Sequence, residues 1–192
     1  MNEEFTLRIR DPRYLEKVMT TDEAAALIAP GSTLGISGFD VAGDPKAMGL
    51  ALARRARNGE KLHLTLLSGA SVGEEFDGEL SRLGAIDRRL PYQANRSMRS
   101  AINAGQIRYH DLPMGSMPQW VRMGYLGDID TAIVEAVAID EQGGVVPTTS
   151  VGATPAYLEK AKQIIIEINT RMGAHGLPGG HRHRHCGSGG HR

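Results

Sequence analysis

Short apolar segments alternate with helix-like segments along most of this chain, and the alternation limits the folds that it can adopt. The helix-like patterns include KAMGLALARRA (46–56) and SMRSAIN (97–103). The strand candidates are TLGIS (33–37), LHLTLL (62–67), TAIVEAV (131–137) and QIIIEIN (163–169). Alternation of this kind predicts an α/β fold, with a mostly parallel open sheet and helices on both faces.

Local signals mark where several helices begin and end. Thr20 followed by Glu23 offers a capping box before AAALIA, and Pro45 suits the first turn of the next helix. Asn58-Gly59 ends that helix, and Gly105 ends the helix over 97–103. The remaining predicted elements are a helix over 77–83, a short strand at IRYHD (107–111), a helix near 117–124, a hairpin turn at EQGG (141–144) and a short helix from Thr154-Pro155.

Composition excludes several classes of protein. The 192 residues allow one domain or slightly more, and 22 basic residues balance 22 acidic ones, so no basic stripe indicates nucleic-acid binding. Cys186 is the single cysteine, so no internal disulfide can form, as is usual in a reducing compartment. The sequence shows no signal peptide and no apolar run near the ~20 residues that a membrane span needs. We therefore expect a soluble cytoplasmic protein with no membrane partner.

Two glycine-rich loops directly follow predicted strands. SGASVG (68–73) places Gly69, Ala70 and Ser71 after LHLTLL, and SGFDVAGDPK (37–46) follows TLGIS. In a parallel sheet both loops lie at the carboxyl edge, where ligands bind. Backbone N–H groups in SGASVG can form an anion nest for a carboxylate or phosphate, although a tight turn without a ligand fits equally well. The second loop offers Gly38, Gly43 and Lys46; Lys46 either reaches an anion or is solvated.

A third candidate segment is VEAVAIDEQGGVVPTTSVG (134–152). It puts Glu135 in an apolar strand, where a carboxylate is either a structural strand-end group or a site residue. PTTSVG then supplies hydroxyls, including those of Thr149 and Ser150, which serve either a substrate loop or a helix cap.

No catalytic constellation is visible in the body of the chain, where His63 and His110 are isolated and no G-x-S-x-G motif occurs. Four arginines lie near one another in sequence and either receive an anion or form a solvated face. They are Arg88, Arg89, Arg96 and Arg99.

The last residues differ in composition from the rest. We divide the chain into a folded domain over 1–170 and a Gly-, His- and Arg-rich tail over 171–192, which has no hydrophobic period and is expected to be disordered. HRHRHC (181–186) contains imidazole and thiolate ligands for a soft metal. Its alternating arginines repel cations and no second ligand cluster accompanies it, so we predict no physiological metal site.

Several motifs together resemble the N-terminal half of the acetyl-CoA hydrolase/transferase family of acyl-CoA:carboxylate CoA-transferases. The resemblance runs in order over about residues 8–169. The matching motifs are RIRDPRYLEKVMTTDEAAALI, SGFDVAGDPKAM, LLSGASVGEEFDGEL, RRLPYQ, LGDIDTAIVEAVAI and GGVVPTTSVG. The resemblance implies a CoA-transferase-type α/β fold built as two similar halves, with small carboxylates and acyl-CoA as partners. Coenzyme A is then a substrate rather than a permanently bound cofactor, and no metal is needed.

The resemblance also implies a ping-pong reaction, in which a glutamate attacks the acyl-CoA carbonyl and later carries CoA as a thioester. That glutamate and the oxyanion glycines belong to the family's C-terminal half, so we expect no catalytic residue in this chain. By motif match, Ser71 takes the place of a carboxylate-binding serine. A second hydroxyl of the family corresponds to Ala94, which cannot donate a hydrogen bond; Ser97 lies one helical turn away.

The resemblance stops abruptly after Asn169, and we expect a truncated gene whose tail is read out of frame. Three functions stay open on sequence grounds. The chain is the N-terminal domain of a CoA-transferase and inactive alone, a non-catalytic module that binds a small carboxylate or CoA, or a remnant without function. A homo-oligomer or pairing with a separate C-terminal half is expected.

Overall fold

The computed structural model describes residues 3–172, with side chains from Thr6 onwards. Within these residues the sheet has seven strands in the order β4-β3-β2-β1-β5-β6, and β7 also pairs with β5. Every pairing is parallel except that of β5 with β6. The strands are β1 (Thr33–Ile36), β2 (Leu64–Ser68), β3 (Ile86–Leu90), β4 (Arg108–Tyr109), β5 (Ile129–Ile139), β6 (Val145–Pro147) and β7 (Ala161–Ile168). The predicted mostly parallel sheet is confirmed.

In the described part of the chain, seven α-helices connect or flank these strands. They are α1 (Glu3–Arg8), α2 (Thr21–Ala26), α3 (Lys46–Arg57), α4 (Glu79–Arg82), α5 (Arg96–Asn103), α6 (Met117–Arg122) and α7 (Thr154–Lys160). A π-helical turn (Glu74–Gly78) leads into α4, and short 3₁₀ helices span Pro12–Lys17 and Met114–Ser116. The predicted capping box is confirmed, because Thr20 N–H donates to Glu23 Oε2 at 2.7 Å and Glu23 N–H donates to Thr20 Oγ1 at 3.2 Å.

Helices cover both faces of the sheet, as predicted. Adjacent residues of β2 point to opposite faces, and Leu66 and Leu67 belong to separate buried clusters. The Leu66 cluster packs against α2, α3 and α5, whereas the Leu67 cluster packs against α6 and α7. Helix α7 lies so close to β1 that a Cβ added at Gly35 would stand 2.7 Å from the Tyr157 ring.

The strand order reverses beside β1. The chain proceeds from β1 through β2 and β3 to β4 on one side, and β5 then returns to the other side of β1. Ligands of open α/β sheets bind outside the carboxyl ends of the strands at such a reversal. The crevice in this protein therefore lies beyond Ile36 of β1 and Ser68 of β2, alongside the part of β5 that continues past Ile133.

Two local differences from the sequence prediction have physical causes. Strand β2 begins at Leu64 rather than Leu62, because His63 has a positive φ of 50° that ordinary strand geometry excludes. Strand β3 was not predicted at all, since three of the five residues in IDRRL are charged. It is accommodated in the sheet because Arg89, the charged residue that is fully buried, forms an ion pair with Asp77. The predicted tail, including HRHRHC (181–186), lies almost entirely outside the described residues.

Candidate functional site

Three loops meet at the crevice through glycines. A Cβ added at Gly69 would lie 2.9 Å from the Gly38 carbonyl oxygen and 3.3 Å from the Gly152 Cα atom. A Cβ at Gly43 would lie 3.1 Å from Thr148 Oγ1. Side chains larger than hydrogen do not fit between these backbones, so the glycines set the distance between the loops. The structure thus brings SGFDVAGDPK, SGASVG and PTTSVG together at one edge of the sheet.

Glu135 lies within β5 and not at a strand end, and other parts of the chain bind its carboxylate. Its side chain is buried, and it accepts hydrogen bonds from Thr148 Oγ1 at 2.7 Å and from Asn169 Nδ2 at 2.8 Å. The Glu135 N–H donates to Ser37 Oγ at 2.9 Å, and Ser37 in turn donates to the Gly43 carbonyl at 2.7 Å. The Glu135 carboxylate therefore links the PTTSVG loop to the end of β7.

Lys46 is held at the mouth of the crevice by a buried carboxylate. Asp44 is fully buried; it forms an ion pair with Lys46 Nζ and accepts the Gly73 N–H at 3.1 Å. Burial lowers the pKa of Lys46, but the hydrogen bond and charge of Asp44, together with the charges of Glu135 and Glu75, outweigh it, so that the pKa of Lys46 is raised. The ammonium group is cationic at neutral pH, and its side chain is 42% exposed.

Sequence reasoning missed Glu167, which caps the helix that carries Lys46. Its carboxylate accepts the Ala47 N–H at 3.1 Å and the Met48 N–H at 2.9 Å, at the positive end of α3. Burial raises the pKa of Glu167, although these two backbone hydrogen bonds oppose the shift. The only sequence signal was an acidic residue within an isoleucine-rich strand, which does not indicate its partner.

Ser71 does not face open solvent. It is buried, and its hydroxyl lies 2.7 Å from Oε1 of Gln93. Its carbonyl oxygen accepts the Asp40 N–H at 2.8 Å, so the turn at residues 39–42 lies against it. Gln93 is a second residue that sequence reasoning missed. It follows β3, and its contact with SGASVG depends on the parallel pairing of β3 with β2.

A buried ion pair between Arg89 and Asp77 stabilises the SGASVG loop through hydrogen bonds to Ser68 and Ala70. Arg89 Nε lies 2.9 Å from Asp77 Oδ1, and its Nη2 donates to Ser68 Oγ at 2.9 Å and to the Ala70 carbonyl at 3.0 Å. The interpretations of Arg89 as a receptor for an external anion or as a solvated residue are both wrong, since its side chain is fully buried against Asp77.

The other arginines of the predicted cluster are not brought to the crevice. Arg96 and Arg99 are exposed on α5, where they line an open depression of about 410 Å³, and Arg88 is only partly buried. The Ser97 hydroxyl accepts a hydrogen bond from Arg82 at 2.8 Å on the surface, and Ala94 is exposed.

The outer rim of the crevice carries unpaired polar groups and exposed apolar side chains. Among residues 3–172, none forms a hydrogen bond with the hydroxyl of Thr149, which is exposed, or of Ser150, which is partly exposed. Phe39 is 53% exposed and Val41 is 65% exposed on the turn beside them. Lys46, Thr149 and Ser150 are therefore candidate side-chain donors for an anion at this edge of the sheet, although Lys46 already forms an ion pair with Asp44.

Two absences apply to the described part of the chain. Within residues 3–172, no group of three or more His, Cys, Asp or Glu side chains is placed to hold a metal ion. No helix in the same range is both long and apolar enough to cross a membrane.

Comparison with known proteins gives consistent matches. The family described as acetyl-CoA hydrolase/transferase N-terminal domain matches residues 3–176. The chain is 42% identical over 163 residues to the succinyl-CoA:acetate CoA-transferase of Clostridium kluyveri, covering 84% of this chain and 30% of that protein. It is 39% identical over 155 residues to the propanoyl-CoA:succinate CoA transferase of Escherichia coli, covering 79% and 32%. An acetyl-CoA hydrolase of Schizosaccharomyces pombe is 38% identical over 177 residues, with 86% and 34% covered.

The chain thus spans about a third of the length of these curated relatives. Solved structures support the fold alone. RipA from Yersinia pestis superimposes with a TM-score of 0.66 at 20% identity, covering 88% of this chain and 38% of that one. Glutaconate coenzyme A-transferase from Acidaminococcus fermentans gives 0.61 at 18% identity, covering 79% and 68%.

Proposed function

We propose a function for this chain from the premise that it belongs to the acetyl-CoA hydrolase/transferase family, whose N-terminal domain it matches over residues 3–176. In this proposal the chain is the carboxylate-binding part of an acyl-CoA:carboxylate CoA-transferase. The observation that carries it is the meeting of three loops at Gly38, Gly69 and Gly152, where the strand order reverses. Small carboxylates and acyl-CoA are the proposed substrates, with no permanently bound cofactor.

The rim chemistry supports a carboxylate rather than a cation as the ligand. Lys46 supplies a positive charge, and Thr149 and Ser150 supply hydroxyl donors. Charge-assisted hydrogen bonds of this kind are shorter and stronger than neutral ones, and they suit the two oxygens of a carboxylate. The site residues are proposed to be Gly38, Gly43, Lys46, Gly69, Ala70, Ser71, Thr149 and Ser150.

We further propose that turnover requires a segment beyond this chain. Asp44, Glu135 and Glu167 are carboxylates at or beside the crevice loops, and each is engaged in an ion pair or in structural hydrogen bonds. In this proposal, the glutamate nucleophile that the family resemblance implies belongs to the part of the relatives that this chain does not cover, which is about two thirds of their length. Assembly with that region or with a second copy, and a cytoplasmic location, stay predictions from the sequence.

Binding of acetate and succinate tests the proposal directly. We expect millimolar acetate to shift the amide NMR signals of the three loops, and Lys46→Met to weaken binding by about tenfold, as for the loss of a charge-assisted hydrogen bond. The matched control is Lys61→Met, because Lys61 is exposed and precedes β2 at the opposite edge of the sheet. A flat titration of the wild-type chain would contradict the proposal.

A transferase assay with succinyl-CoA and acetate tests the second part. We expect no turnover from the chain alone. Turnover at a rate above that of buffer would show that a nucleophile is present within these 192 residues.

A further inference from the structure

The amide of Gln93 is fixed in one orientation by its neighbours. Its nitrogen Nε2 donates to Asp77 Oδ2 at 2.9 Å, and a carboxylate oxygen can only accept. Its oxygen Oε1 accepts the Asn95 N–H at 2.7 Å, and a backbone N–H can only donate. Exchanging the positions of Oε1 and Nε2 would place an oxygen against the Asp77 carboxylate and an NH₂ group against the Asn95 N–H, so neither hydrogen bond could form. Oε1 therefore faces Ser71, as an acceptor.

This orientation determines where the Ser71 proton points. The Ser71 hydroxyl lies 2.7 Å from Gln93 Oε1 and 3.4 Å from the Val72 carbonyl oxygen, and both of these atoms accept hydrogen bonds. Ser71 is 2% exposed, so solvent does not compete for its proton. The single proton of the hydroxyl is therefore donated to Gln93, and toward any other group Ser71 can only accept.

A carboxylate is itself only an acceptor, so it cannot be bound by Ser71 in this arrangement. We propose that Gln93 is a positioning residue. In the free protein its Oε1 accepts the hydrogen bond from the Ser71 hydroxyl, and it loses that hydrogen bond when a carboxylate binds. The inference rests on the proposed carboxylate site and names the change that binding at Ser71 requires: the hydroxyl rotates, and its hydrogen bond passes from Gln93 to the ligand.

The structure makes this exchange inexpensive for Gln93. After the hydroxyl turns away, Oε1 keeps the hydrogen bond from Asn95, and Nε2 keeps the one to Asp77. Asp77 is in turn held by Arg89 and by the Val72 N–H at 2.9 Å. The Gln93 side chain therefore stays in place while the Ser71 proton changes partner.

The first experiment follows the Gln93 side-chain carbonyl by ¹³C NMR without any ligand. Replacing Ser71 with alanine (Ser71→Ala) removes one of the two hydrogen bonds to Oε1, and we expect the carbonyl signal to move. An unchanged signal in this folded variant would show that Ser71 does not donate to Gln93, and the inference would be overturned whatever the ligand does.

The second experiment adds acetate to the wild-type chain. We expect the Gln93 carbonyl signal to move at saturation to the position seen in Ser71→Ala. If acetate binds, as the loop amides report, and the Gln93 signal stays in place, the proposed exchange is wrong while the proposed function stands. If acetate does not bind at all, the proposed function fails, and the ligand-free comparison still decides whether Gln93 holds the proton.

A variant series gives the same test in affinities. Gln93→Met removes the competing acceptor, and we expect acetate to bind about 3- to 10-fold more tightly, which corresponds to one neutral hydrogen bond. In the Ser71→Ala background the same substitution should change nothing, and Gln119→Met on the exposed face of α6 is the matched control. Weaker binding on Gln93→Met in both backgrounds would show that Gln93 is only a structural support and would overturn the inference.

Discussion

The crevice has two layers of residues that differ in burial and in hydrogen bonding. The inner layer consists of Ser68, Ser71, Asp77, Arg89 and Gln93, each of which is at most 7% exposed and hydrogen-bonded to another member. The outer layer consists of Phe39, Val41, Lys46, Thr149 and Ser150, which are exposed or partly exposed.

This difference assigns separate roles to the two layers: the inner layer fixes the loop conformation, and the outer layer contacts the ligand. Buried polar groups are costly unless every partner is present, so the inner layer is a closed network that fixes the SGASVG loop. The outer layer keeps donors that are free to meet a ligand. Substitutions at Ser68, Asp77 and Arg89 of the inner layer should therefore act mainly on stability, and those in the outer layer mainly on binding. Ser71 and Gln93 are the inner-layer residues for which an effect on binding is also expected.

The largest expected effect comes from breaking the inner layer at its ion pair. Arg89→Met leaves Asp77 buried without its charge partner, and we expect the free energy of unfolding to fall by about 3–5 kcal/mol. Urea denaturation measures the change. Arg122→Met, which breaks an exposed pair with Glu159, should cost at most about 1 kcal/mol. Equal losses from the two variants would contradict the division into layers.

A smaller effect is expected at the close contact between the glycine loops. Gly69→Ala places a methyl group 2.9 Å from the Gly38 carbonyl oxygen, and the overpacking should lower the free energy of unfolding by about 1–3 kcal/mol. The control is Gly115→Ala, because an added Cβ at Gly115 meets nothing within 4 Å and its φ is not positive. Thermal unfolding of both variants decides the point; a neutral Gly69→Ala would show that the loops separate readily.

The smallest effect concerns the capping carboxylate Glu167 behind Lys46. Its pKa is raised by burial, so the folded state holds the Glu167 proton more tightly than the unfolded state does. As the pH rises from the ordinary pKa of 4.5 through the raised value, the wild type should lose stability relative to Glu167→Gln. Denaturation midpoints of both proteins between pH 4 and about pH 7 measure the trend.

Glu60 provides a control of opposite sign. Its pKa is lowered, chiefly by a hydrogen bond from Arg55, so its stabilising contribution is present above the ordinary pKa and is lost as the pH falls through the lowered value. The wild type should therefore gain stability relative to Glu60→Gln as the pH rises. The same trend for both substitutions would show that the pH response is a general charge effect and not specific to Glu167.

The position of the crevice loops could be predicted from the sequence, and much of the inner layer could not. A glycine-rich loop after an apolar strand indicates the ligand edge of a sheet, so the sequence alone predicts that Gly38, Lys46 and Gly69 lie at this edge. The partner of Arg89 depends on how β3 lies beside the turn that carries Asp77, and the partner of Ser71 depends on Gln93. No local pattern encodes these contacts, because each joins segments whose packing is decided by the whole sheet.

The glycine contact has a kinetic consequence. Gly38, Gly69 and Gly152 come from three loops that are distant in the chain, and they approach only when β1, β2 and α7 are already packed. Such non-local contacts form late, after the loop-closure entropy has been overcome. A substitution that disturbs this contact should therefore speed unfolding while leaving the refolding rate nearly unchanged. The crevice would be the last part of the domain to close and the first to open.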